Sequence, residues 1–312
     1  MRTSAVSDTG GSRLRSGLGA RILAWNRAPS SAPDHPWPVY CAPFPLPGRA
    51  AIAAEFIRAA VTGGVLEVLI DRADKRNACS QAVLRELGAC FRAHAGDDTL
   101  LLAVLRGAGE RCFAAGGDLH EFETLREPAA VREMNRASTA DLDAIRDFPV
   151  PVVAALNGDA IGGGAELAMA CDLRVFARHA RIGFVQGQMC ISTAWGGGAD
   201  LMRVAGPATA LRMLTRAEFI AAAEARRLGL ADAVQGEDEA FEATVSAFVG
   251  AMRERKPQIM RACKSLARAA RQDDAWRAVR AAEPALLEAT WLHEDHWAAS
   301  AAAIARIAAK KG

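Results

Sequence analysis

"NGDAIGGGAEL", residues 157–167, sets three consecutive glycines beside one glutamate at the start of a stretch that otherwise reads as a buried helix. Three familiar uses of glycine between a strand and a helix can be tested against it. A dinucleotide fingerprint needs GxGxxG after the first strand, a spacing that Gly158 to Gly162 does not supply, and Glu166 would repel a pyrophosphate seated on that helix start. A phosphate loop needs a lysine after the glycines and a nucleophile elbow needs GxSxG; the chain offers neither there. Two readings remain open for the stretch alone. One is a tight helix–strand packing contact. The other is an oxyanion site, in which free N–H groups at a helix N-terminus meet a developing negative charge, with Glu166 one turn past Gly163 and facing the same space.

A second loop breaks the tie. "RCFAAGGDLHEF", residues 111–122, follows the apolar run "LLLAVLR" (100–106) and again exposes bare backbone, at Ala115, Gly116 and Gly117, before a helix capped by Asp118. Two loops of this kind, each after a buried strand, supply one amide each to a common site.

Further out, "VLEVLI" (65–70), "VPVVAALNG" (150–158) and "DLRVFA" (172–177) are short apolar runs suited to strands covered on both faces. Helical-period segments alternate with them, including "QAVLRELGACFRAH" (81–94) and the stretch from Glu127 to Phe148, which stops at Pro149, where a proline disfavours further helix. Strand and helix in alternation predict an α/β layered domain. From residue 207 nearly everything scans as helix, ending in an Ala-rich segment expected to pack on a neighbouring subunit. The first fifty residues, rich in Arg, Ser, Gly and Pro, are expected to form a flexible extension or a transit-type peptide.

The chain has 312 residues, 51% of them hydrophobic, and a formal net charge of +2, so no polyanion or anionic membrane is implied as partner. Seven cysteines without a CxxC pair fit reduced thiols and neither a disulfide framework nor a zinc site. Every long apolar stretch is interrupted by Arg or Asp. A cytoplasmic setting, or an organellar matrix, is therefore expected, with no metal.

The residues "DRADKRNACS", "RCFAAGGDLHEF", "PVVAALNGDAIGGGAELAMACDLRVFA" and "AAEARRLGLADAV" resemble, in order, the successive signatures of the crotonase (enoyl-CoA hydratase/isomerase) superfamily. The resemblance covers about residues 62–311. It implies a spiral of ββα repeats with a helical C-terminal trimerisation region, hence an N-terminal extension over 1–55, a spiral core over 56–250 and an oligomerisation region over 251–312, assembled as a homotrimer or dimer of trimers. It implies an acyl-CoA substrate, with CoA entering as part of that substrate and no separate cofactor. The thioester oxygen would lie between the amides of Gly117 and Gly163. Lys75, Arg76 and Ala78 would line the CoA nucleotide, while Ala115, Asp118 and Trp195 complete the expected binding surface.

Family hydratases place one glutamate in the GGGxE stretch and a second about twenty residues later. Glu166 matches the first, but the second position falls on Gln186, which can hold a water but cannot take its proton. The local wording "GGGAELAMACDLRVF" and "IGFVQGQMCISTAWGGGADLMRVAG" is similar to the ethylmalonyl- and methylmalonyl-CoA decarboxylase branch. The leading expectation is thus decarboxylation of a short branched malonyl-CoA, with Glu166 protonating the enolate carbon. The alternative is an enoyl-CoA hydratase that recruits another carboxylate, such as Glu121, Glu123 or Asp200. Elsewhere, His293 and His296 share a helix face and are expected to form a polar patch, and the basic face of residues 253–272 is expected to be solvated.

Overall fold

A computed structural model of the chain describes residues 54–309. Of the expected N-terminal extension, residues 1–55, all but the last two lie outside the described residues, and residues 54–309 belong to one unit. It opens with a hairpin of β1 (Ile57–Thr62) and β2 (Val65–Ile70), joined by Gly63 and Gly64. Both glycines have positive φ, as a two-residue turn matched to strand twist demands. Ser80 then caps α1 (Gln81–His94), its hydroxyl accepting the Val83 N–H at 3.2 Å.

Three turns of a spiral follow. β3 (Leu102–Gly107) and β4 (Cys112–Ala114) lead to α2 (Leu119–Phe122) and α3 (Pro128–Arg146). β5 (Val152–Leu156) and β6 (Asp159–Ile161) lead to α4 (Gly163–Ala170). β7 (Leu173–Phe176) and β8 (Arg181–Gly183) lead to a 3-10 turn over Val185–Met189, then α5 (Gly197–Ala205) and α6 (Pro207–Arg216). The first strand of each turn joins one sheet and the second joins another. With β9 (Phe219–Ala221), α7 (Ala222–Arg227) and β10 (Ala233–Val234), the larger sheet runs β1-β2-β3-β5-β7-β10 and the smaller β4-β6-β8-β9. From β2 to β10 the larger sheet is parallel. This is the ββα spiral. The residues of β5 are all buried, which is why its sequence is apolar without alternation.

The C-terminal third is helical: α8 (Phe241–Arg253), α9 (Pro257–Arg271), α10 (Asp274–Trp291) and α11 (Glu294–Ala309). Two cations of α9, Lys264 and Arg271, do not face solvent as its composition suggests. Lys264 Nζ lies 2.5 Å and Arg271 Nη2 3.2 Å from the carboxylate of Asp172, which closes the turn before β7. The Ala-rich α11 docks on its own chain, where buried His296 bonds through Nδ1 to the Met189 carbonyl at 2.8 Å. That contact replaces the polar patch expected of His293 and His296. No helix among the described residues is long and apolar enough to cross a membrane.

Candidate active site

The two small-residue loops meet. Gly164 lies so close to the end of β4 that a Cβ there would stand 2.0 Å from the Ala114 carbonyl oxygen, and one on Gly116 would stand 3.1 Å from the Gly163 nitrogen. Gly116 also has φ +82°, a conformation open to glycine. The tight packing expected of the glycines is present, and it brings the two loops side by side. Gly163 is the first residue of α4, so its N–H has no intrahelical acceptor. Around Gly117 the backbone bonds fall on its neighbours, with Ala115 donating to the Arg76 carbonyl at 3.1 Å and Cys79 to the Gly116 carbonyl at 2.7 Å. Those same bonds place Lys75, Arg76 and Ala78 along the Gly117 loop. Lys75 and Arg76 are exposed there. Asp118 caps α2 and pairs with Arg72 at 3.0 Å.

Glu166 lies within α4 and is 1% exposed. Its Oε1 accepts the Gln186 Nε2–H at 2.8 Å, and its Oε2 accepts the N–H groups of Ala194 at 3.2 Å and Gly197 at 3.1 Å. Burial, reinforced by a second carboxylate, pushes its carboxyl up to about 7 despite those donors. That second carboxylate is Glu283, from α10. Its Oε1 accepts the Thr193 hydroxyl at 2.7 Å and the Gly198 N–H at 2.8 Å. Desolvation raises this carboxyl as well, opposed by the nearby charges of Arg146 and Arg280. Two acids thus hang from consecutive amides at the N-terminus of α5. The glycines make room: a Cβ would come within 2.3 Å of Glu166 Cγ at Gly197 and 2.6 Å of Glu283 Oε1 at Gly198.

Trp195, just before these glycines, lays its buried ring against Gly163, and its carbonyl accepts from Arg146 at 2.7 Å. Arg146 also pairs with Asp200 at 2.8 Å and Asp143 at 2.9 Å, and Arg280 reaches Asp143 at 2.8 Å. These pairs clamp α10 over the site.

None of the three carboxylates expected from sequence takes the second position. Glu121 is held by the Gln81 N–H at 3.1 Å and side-chain amide at 3.0 Å, Asp200 is committed to Arg146, and Glu123 is exposed at the end of α2. Glu283 was missed because it lies 117 residues beyond Glu166. A signal existed: it shares a face of α10 with Val279 and Leu287 at i±4, an acid at an apolar position.

Beside the two acids opens a cavity of about 550 Å³, lined by Gln186, Thr193 and Glu283 and by apolar side chains including Phe184, Ile191, Leu214 and Val279. Among the described residues no group of three or more His, Cys, Asp or Glu side chains is arranged to hold a metal ion.

The profile of a family described as enoyl-CoA hydratase/isomerase matches residues 60–303. Crotonyl-CoA hydratase of Syntrophomonas wolfei is 32% identical over 210 residues, covering 67% of this chain and 80% of that protein. Carnitinyl-CoA dehydratase of Proteus mirabilis is 35% identical over 180 residues, 58% of this chain and 68% of the relative. Among solved structures, an enoyl-CoA hydratase/carnithine racemase from Magnetospirillum magneticum superposes with a TM-score of 0.67 at 30% identity, covering 73% of this chain and 87% of its own.

Proposed function

The chain belongs to the enoyl-CoA hydratase/isomerase family, and from that premise we propose that it adds water across the double bond of a 2-enoyl-CoA. The thioester oxygen is taken between the amides of Gly117 and Gly163, the acyl chain runs into the cavity walled by Phe184 and Val279, and the CoA nucleotide lies along Lys75, Arg76 and Ala78. As oxygen adds at C3, charge moves onto the thioester oxygen, where two preoriented donors oppose it without reorganising. Glu166, neutral below about pH 7, gives its proton to C2. CoA enters as part of the substrate and no further cofactor takes part.

The observation that carries this reading is the second buried carboxyl beside Glu166. A malonyl thioester would bring a third carboxylate into the same enclosure. The nearest guanidinium groups, Arg146 and Arg280, are already spent on Asp143, Asp200 and the Trp195 carbonyl. Like charges about 4 Å apart oppose each other by roughly 4 kcal/mol at the effective dielectric of such sites. Decarboxylation, which the sequence favoured because Gln186 holds the second position, is therefore the second reading. The relatives named as hydratases and dehydratases support the same order.

Crotonyl-, ethylmalonyl- and methylmalonyl-CoA, each incubated with the enzyme, separate the two. Loss of enoyl absorbance without release of CO₂ is expected, together with a loss of about 10² to 10⁴-fold in kcat for Glu166→Gln. CO₂ release without hydration overturns the reading.

A further inference from the structure

We propose that Glu283 is the general base for the attacking water and that Gln186 orients that water, an assignment that rests on the hydratase reading above. Both side chains wall the same cavity. Glu283 Oε1 is occupied by Thr193 and Gly198, while its Oε2 is buried with no donor. The amide of Gln186 gives its Nε2–H to Glu166 Oε1, and its own Oε1 is left buried with no donor. Two acceptors without a protein donor, on residues that wall one cavity, match the two hydrogens of a single water, and buried acceptors are ordinarily satisfied. A water that gives one hydrogen to each turns its lone pairs toward the acyl chain.

The step balances. The water oxygen bonds to C3 as its O–H pair is released and the proton goes to Glu283 Oε2. The C2–C3 π pair moves between C1 and C2, and the carbonyl pair moves onto the oxygen gripped by Gly117 and Gly163. The enolate then collapses as C2 takes the proton of Glu166. The proton on Glu283 returns to Glu166 through the water that refills the cavity after product leaves. The nearby charges of Arg146 and Arg280 oppose the upward push of burial on Glu283, and a charge on Glu283 in turn favours the neutral form of Glu166. A carboxylate that merely capped α5 would spend both oxygens on donors; this one leaves Oε2 without any.

Two assays on the full chain separate the roles: hydration of crotonyl-CoA, and exchange of the C2 hydrogens of butyryl-CoA in heavy water, followed by NMR. Exchange needs Glu166 and the two amides but no attacking water. Glu283→Gln is expected to lower kcat for hydration about 10² to 10⁴-fold, with KM little changed, while exchange falls less than about tenfold. Glu166→Gln loses both. Adding Gln186→Glu to Glu283→Gln is expected to recover at least about tenfold in hydration, because a carboxylate returns to the same water. Hydration by Glu283→Gln near the wild-type rate, or equal loss of hydration and exchange, overturns the assignment while leaving the hydratase reading intact. If Glu283→Gln does not fold, Gln186→Leu serves: slowed hydration with exchange retained supports the assignment, and unchanged hydration overturns it. A wild-type enzyme that releases CO₂ and hydrates nothing overturns the reading and the assignment together.

Discussion

Gly116 is the residue on which the paired amides depend. A methyl group there would meet the Ile161 carbonyl oxygen at 2.6 Å and the Gly163 nitrogen at 3.1 Å, in a backbone conformation that alanine resists. Gly116→Ala should push the loops apart and lower kcat about 10² to 10³-fold, the range for losing one oxyanion donor, with a smaller change in KM. Glu166 carries a different signature. Its carboxyl titrates near 7 in the fold against 4.5 in the unfolded chain, so burial favours the protonated form. The stability this gives is complete below about pH 4.5 and is lost as pH rises through about 7, a span on the order of 3 kcal/mol. Urea unfolding of the wild type should weaken over that interval relative to Glu166→Gln; parallel curves contradict it. Glu166 was legible in the sequence because its chemistry is local, three residues from the amide it serves. Glu283 was not, because only the packing of α10 brings it there, and an acid in a helix that is rich in alanine and also carries Asp274 and Glu288 reads as surface.

The helices and strands divide along the same line. The runs at 65–70 and 81–94 match β2 and α1 because burial on both faces, or on one stripe, writes its period directly into the chain. Short strands such as β8 and β9, three residues each, carry no period to read. The basic face of α9 misleads in part for another reason: Lys264 and Arg271 pair with Asp172, a partner distant in sequence, and so are buried while looking solvated. Arg146 of α3 is the clearest case of a tether made in space. It is 3% exposed and joins Asp143, Asp200 and the Trp195 carbonyl, tying α3 to α5 and the site loop. Arg146→Ala would leave Asp200 buried and uncompensated, and should destabilise the fold by about 3–5 kcal/mol in urea titrations. Adding Asp200→Leu should recover much of that loss; if the double variant is as unstable as the single, the buried charge is not the cause.

Across the whole molecule, the spiral supplies the amides and Glu166, whereas the C-terminal helices supply Glu283 and one wall of the cavity. Phe184, Ile191 and Leu214 of the spiral face Val279 of α10 across it. On the proposed reading the acyl chain runs where these two regions of the chain meet. A bulkier side chain on α10 should shorten the space from one side only. In apolar pockets a single methylene changes kcat/KM by roughly 10 to 200-fold. Val279→Phe is accordingly expected to lower kcat/KM for 2-octenoyl-CoA at least about tenfold more than for crotonyl-CoA, while Val279→Ala favours the longer chain. Crotonyl-CoA, with its shorter acyl chain, serves as the internal control. Equal losses on both substrates would mean that the acyl chain runs elsewhere and that α10 contributes its acid without shaping selectivity.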